Sequence, residues 1–127
     1  MCFPGILKGA LLVRSKKISD GMAIRCSHSI ADYSEKVGID PDHVVVTMED
    51  NEVFAVEAAD VAMQAIKEGL ARVEMTWDEA YQKAKASLLE ARAETELLMK
   101  EGFIKEPPAH LYEDALNYAI EAVKAKR

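Results

Sequence analysis

The groups able to do chemistry here are three histidines, two cysteines and scattered carboxylates, and their spacing governs what each can do. His28, His43 and His110 lie far apart, and none stands in a tight metal-ligand spacing. Asp40-x-Asp42-His43 brings two carboxylates and an imidazole within one short stretch. Its setting between Gly38, Pro41 and polar neighbours favours a solvated loop whose acids cap turns over a cation site. Ser27 and His28 are adjacent, so on a helix their side chains point apart and cannot form a nucleophile–base couple. Cys26 falls on an apolar helical face, where a thiol serves as a small core group. Glu49-Asp50-Asn51-Glu52 reads as a helix N-terminus with favourable negative charge. The sequence holds no Gly-x-Gly-x-x-Gly, Walker loop, His-Glu-x-x-His, Cys-x-x-Cys or Gly-x-Ser-x-Gly. From its own residues we expect a module without a catalytic, cofactor-binding or metal-binding constellation.

The elements that would position such groups are helical. The chain has 127 residues, half of them apolar but only 6% aromatic, which suits one aliphatic core built mainly of α-helix. A net charge of −6 disfavours a nucleic-acid partner. No apolar run approaches the ~20 residues of a membrane-spanning helix. The opening Met1–Val13 stretch lacks a basic n-region and a clear cleavage site, so it reads as part of the fold. Two cysteines are too few for a disulfide framework, and a reduced, cytoplasmic protein is expected.

Glycine and proline cut the chain into five helical pieces. The first, about 4–13, is apolar almost all round and should be buried on most sides. The second starts at a Ser19 or Asp20 cap and runs to about Lys36, with Met22, Ala23, Cys26, Ile30 and Tyr33 on one face. Val44-Val45-Val46-Thr47 is β-branched, and is either a short strand or an extended connector. The third helix spans about 51–68, with Gly69 closing it. Thr76-Trp77-Asp78-Glu79 is a capping box opening the fourth. Trp77, Tyr81, Ala84, Leu88, Ala91, Thr95 and Leu98 then form a heptad seam. The fifth helix, about 109–124, offers Tyr112, Leu116, Ala119 and Val123 at the same spacing, which makes an antiparallel pair with the fourth the expected arrangement. Met22, Met63 and Met99 are expected to fill core gaps.

The opening also carries a family resemblance. Phe3-Pro4-Gly5-Ile6, Gly9-Ala10-Leu11, Val13-Arg14, Lys17-Ile18 and Met22 resemble the segment F-P-G-I-F-R-G-A-L-D-V-R-A-x-x-I-x-x-E-M of bacterial-type malic enzymes. Val44-Val45-Val46 before Asn51-Glu52-Val53 stands where the family has Ile-Ile-Pro-Ser-Pro-Phe-Asp, with Thr47-Met48-Glu49 replacing the Pro-Ser-Pro part. Val61-Ala62, Ala65-Ile66 and Gly69-Leu70-Ala71-Arg72 resemble the following helix and its Gly-Val-Ala-Arg ending. The resemblance spans about residues 1–72.

It implies the C-terminal helical part of an α/β, Rossmann-type enzyme that uses NAD(P) and Mg²⁺ or Mn²⁺ to oxidise and decarboxylate malate to pyruvate. It further implies two parts, 1–72 ending the NAD-binding domain and 73–127 forming a helical extension. The family's catalytic Tyr and Lys, metal carboxylates and Gly-rich loop lie upstream of this segment, so none maps onto it. Phe3, Pro4 and Gly5 would border the active site as structural support only. The expected partner is an upstream malic-enzyme polypeptide, the chain being a fragment or a split-gene product inactive alone, or else a second copy. The alternative is an independent helical oligomerisation module, suggested by the heptad seam.

Overall fold

Each helix starts and stops where local chemistry sets it. In the computed structural model, which describes residues 2–125, the helices are α1 (Cys2–Leu12), α2 (Asp20–Val37), α3 (Asn51–Lys67), α4 (Trp77–Lys100) and α5 (Ala109–Lys124). No strand occurs among the described residues. The Ser19 hydroxyl accepts the Met22 N–H at 3.1 Å and opens α2. The capping box before α4 is complete: Glu79 N–H donates to the Thr76 hydroxyl at 3.2 Å, and Thr76 N–H donates to the Glu79 carboxylate at 2.7 Å. At the start of α3, Asp50 occupies the cap position without capping, and its carboxylate accepts the Thr47 N–H at 3.3 Å instead.

Helices α1 and α3 end in matching Schellman motifs. Leu70 N–H donates to Ala65 O and Gly69 N–H to Ile66 O, with Gly69 at φ 68°. Ser15 N–H donates to Ala10 O and Arg14 N–H to Leu11 O, with Arg14 at φ 47°. A left-handed arginine lacks glycine's freedom there. The two departing loops clasp each other: Lys16 N–H donates to Leu70 O at 3.0 Å, and Arg72 N–H to Val13 O at 2.9 Å.

The described residues fall into two compact units that divide between Ala91 and Arg92. In the first, α3 is the central helix. Val53, Ala58, Ala59, Val61, Ala62 and Ala65 are fully buried along it, and α1 and α2 both pack against it. Small residues let the backbones approach closely. A Cβ on Gly9 would lie 2.5 Å from the Ala58 carbonyl oxygen, so only glycine fits. Met22, Cys26 and Val13 complete this core, each large side chain contributing roughly 1.5–3 kcal/mol by leaving water. The first half of α4 joins through Ala80 and Ala84.

The structure alters the expectations for the helix faces. Helix α1 is buried along its glycine face only, while Phe3, Leu7 and Leu11 are 73%, 37% and 72% exposed. Its contact with α3 uses one side, and no described residue covers the other. Of the two readings of Val44–Thr47 the connector holds: the stretch is a loop, anchored by buried Val46, whose N–H donates to the Ser34 hydroxyl at 3.2 Å. Along the α4 seam Ala84 is buried and Tyr81 and Leu88 are partly buried, whereas Trp77 and Leu98 are exposed, and Met99, expected to fill a core gap, is exposed as well. In the second unit no described residue of α5 is buried, so its seam lies open to solvent.

Candidate functional site

Two places in the first unit gather chemistry-bearing groups. The first is built around Asp60, on the α3 face turned toward α2 and α4. Its carboxylate receives Arg25 Nη2 at 2.5 Å, the Ser29 hydroxyl at 2.6 Å and Trp77 Nε1 at 2.8 Å. One carboxylate thus ties three helices together. A turn along α4, the Tyr81 ring stacks on Trp77 with centroids 5.2 Å apart. The Tyr81 hydroxyl donates to Glu52, and Lys85 Nζ lies 3.1 Å from both Glu52 Oε2 and Tyr81 Oη. Hydrogen bonds from Tyr81 and then Lys85 hold the Glu52 carboxyl below the usual carboxylate range, and the same contacts push the Lys85 amine up. Burial pushes the Tyr33 phenol up.

All of these groups but Lys85 line a cleft of about 750 Å³ with Tyr33, Lys36, Asp32 and Asp78. The volume is that of a small-molecule site. The chemistry is that of a lock: Asp60 is matched by Arg25 and Glu52 by Lys85, and no nucleophile faces a base.

The second place is the start of α1. Phe3 is exposed, Pro4 half-buried and Gly5 buried. Gly5 rests on Glu57 of α3 so closely that a Cβ there would overlap the Glu57 Cβ. Glu57 is wholly buried, and neither carboxylate oxygen has a well-formed hydrogen bond. Burial pushes its pKa up to about 7, with the Gly5 N–H pulling weakly the other way. Beside it, Cys26 Sγ donates to the Cys2 carbonyl at 3.5 Å, and burial pushes the Cys26 thiol up. Both cysteines are free, and Cys26 is a core residue, as its place on the apolar face implies.

Phe3, Pro4 and Gly5 therefore share one helix end, over a buried carboxyl. The histidines do not converge. Asp40 accepts the Asp42 and His43 N–H groups at 2.8 and 2.9 Å, and its pKa is held down, first by the Asp42 bond. That stretch is the capped turn its composition predicts. Among the described residues no three His, Cys, Asp or Glu side chains gather as for a metal ion.

Glu57 and Asp60 are the residues that sequence reasoning passed over. Glu57 stands three after Phe54 and four before Val61, so helical spacing alone puts it on the apolar stripe. Asp60 carries no such signal, because its partners come from other helices.

No family model matches the chain. It is similar to the crystal structure of the malic enzyme of Entamoeba histolytica, with 48% identity and a TM-score of 0.89 over 95% of this chain and 25% of that one. It also resembles the malic enzyme of Pyrococcus horikoshii, with 33% identity and a TM-score of 0.62 over 66% of this chain and 19% of that one. Among curated proteins it is 32% identical over 85 residues to the bifunctional malic/malolactic enzyme of Bacillus subtilis, 67% of this chain and 21% of that protein. The chain thus spans a quarter or less of the length of these relatives. Coverage of 95% carries the likeness past residue 72 into the final helices.

Proposed function

Because this chain belongs to the malic enzyme family, as a C-terminal segment of it, we propose that it serves as the closing helical part of an NAD(P)- and divalent-metal-dependent enzyme that oxidises and decarboxylates malate to pyruvate. In this reading residues 1–72 end the NAD-binding domain, 73–127 extend it, and the segment alone is inactive. The observation that carries the reading is the Phe3–Leu7–Leu11 stripe. Helix α1 is pinned to α3 by its glycine face, yet presents these three apolar side chains to water on the other. Such a stripe is what a helix offers to a protein surface that covers it, and the upstream enzyme polypeptide is the partner of that description. Phe3, Pro4 and Gly5 then border the active site as backbone support.

The segment's own residues do not fit the cofactors. No ligand set for Mg²⁺ or Mn²⁺ converges among the described residues, and no glycine-rich turn joins a strand to a helix for a dinucleotide. Both groups fall to the upstream polypeptide, and no reacting step is assigned to this chain. A cytoplasmic setting accords with the two free thiols. No helix among the described residues is long and apolar enough to cross a membrane.

The test is malate-dependent reduction of NAD(P) in the presence of Mg²⁺ or Mn²⁺. The chain alone should give none, and adding the upstream polypeptide should produce turnover. Turnover by the lone chain, or no gain on mixing, overturns the reading. A second reading, an independent helical oligomerisation module, is favoured by the open seam of α5.

A further inference from the structure

We propose, independently of the enzymatic reading, that Cys2 and Cys26 are a peroxide-sensitive thiol pair, closing reversibly into a disulfide that staples the start of α1 to the middle of α2. The two cysteines lie far apart in sequence, yet the fold sets one against the other. Cys26 Sγ lies 3.5 Å from the Cys2 carbonyl oxygen, and Cys2 Sγ lies 3.6 Å from the hydroxyl of Ser27, the neighbour of Cys26. Cys2 also packs on the core cluster that contains Cys26. Both thiols are free. Burial first, then the charges of Glu57 and Cys2 and a hydrogen bond with the Cys2 thiol, push the Cys26 thiol up.

Their surroundings divide the work. Cys2 is part-exposed and Cys26 wholly buried, so a small oxidant meets Cys2 first. Cys2 stands about 100° round the helix from Phe3, and its thiol meets Ser27 of α2. Covering the Phe3–Leu7–Leu11 stripe therefore does not by itself bury it. The Cys2 thiolate attacks a hydroperoxide, and a sulfur–oxygen bond forms as the oxygen–oxygen bond breaks. The departing alkoxide takes the proton that Cys2 gave up and leaves as an alcohol, and Cys2 becomes a sulfenic acid. Cys26 then attacks the Cys2 sulfur and displaces hydroxide, which leaves as water with the Cys26 proton. The two thiols lose two electrons and two protons, and one hydroperoxide is reduced to an alcohol and water. Sheltered from the oxidant, Cys26 has the position of the resolving thiol. Closing the bond brings the sulfurs to about 2 Å, so Cys2 must leave the Ser27 hydroxyl and turn to Cys26. The opening turn of α1 can give, because the first N–H groups of a helix have no acceptor within it. Phe3, Pro4 and Gly5 stand on that same turn, so the bond restrains the end of the helix.

Treating the full, reduced chain with hydrogen peroxide, under native conditions at micromolar protein concentration, tests the proposal. The expected product has no free thiol and no link between chains, and its tryptic digest joins the peptide 1–8 to the peptide 26–36. The loop closed from residue 2 to residue 26 should raise Tm by about 10 °C, and dithiothreitol should restore both thiols and the original Tm. Cys2→Ser should leave Cys26 unoxidised in the folded chain. Cys26→Ala should stop Cys2 at the sulfenic acid, which dimedone traps; circular dichroism checks that each variant keeps its helices. Should Cys26→Ala lose them, the peptide map of the parent and the Cys2→Ser chain still decide. Two free thiols persisting in excess peroxide, a disulfide between chains in place of the internal one, or oxidation of Cys26 when Cys2 is replaced overturns the proposal.

Discussion

Replacing Glu57 by Gln tests the most unusual group in the first unit. Burial raises the Glu57 carboxyl from its ordinary 4.5 to about 7 in the folded chain. Keeping it ionised there is worse by about 3 kcal/mol than in the unfolded chain. Between about pH 4.5 and 7 the folded protein holds this proton and the unfolded chain has lost it, so the stability the group contributes falls as pH rises through that window. It is fully present below the unfolded value and gone above the folded one. The substituted glutamine has no proton to lose. Its amide leaves donors unpaired in the same pocket, but that offset does not change with pH. The other carboxylates titrate alike in both proteins and cancel in the difference. The stability of Glu57→Gln relative to the parent should therefore rise by about 3 kcal/mol from about pH 4.5 to about pH 8, equivalent to roughly 10 °C in Tm for a chain of this size. Urea unfolding at a series of pH values, followed by the fluorescence of the single tryptophan, Trp77, and by helix dichroism, measures it. A stability difference that stays constant with pH refutes the reasoning.

Gly9→Ala should destabilise the α1–α3 contact by about 1–3 kcal/mol, because its methyl group would meet the Ala58 carbonyl rather than a yielding side chain; thermal unfolding reads the loss. Arg14→Gly should raise stability by up to about 1 kcal/mol by relieving a left-handed arginine at the end of α1, measured the same way. Thr76→Ala should lose about 1 kcal/mol, since it removes the hydroxyl that caps Glu79 N–H; amide exchange should quicken first in the opening turn of α4. Asp60→Asn should weaken the three-helix tie by about 1.5–3 kcal/mol, because Arg25 loses its charged acceptor, with a shift in Trp77 emission as the local signature.

The helices were legible because their signals are local. Ser19, the Thr76–Glu79 box and Gly69 act within a turn or two of their own positions, and each closes or opens a helix as its type predicts. The Phe3-Pro4-Gly5 start and the family it resembles were equally readable, since a motif is a property of order along the chain. The Val44–Thr47 stretch was ambiguous for the same reason: β-branched residues favour extension, but a strand needs a neighbour to pair with, and none comes.

What lay beyond the sequence is what depends on distance between helices. Spacing gave α4 a seam and α5 a matching one; packing alone decided that Ala80 and Ala84 face α3 while Tyr112, Leu116 and Val123 face water. Sequence put Glu57 on an apolar stripe, but only the fold set Gly5 against it and withheld hydrogen-bond partners, which is what raises its pKa. Asp60 reads as one more surface acid until Arg25, Ser29 and Trp77 arrive from two other helices. Local order along the chain determines helix ends and kinship, because capping and motifs act over a few residues. Burial, ionisation and open faces belong to the tertiary structure, because they are set by atoms brought close from far apart in sequence.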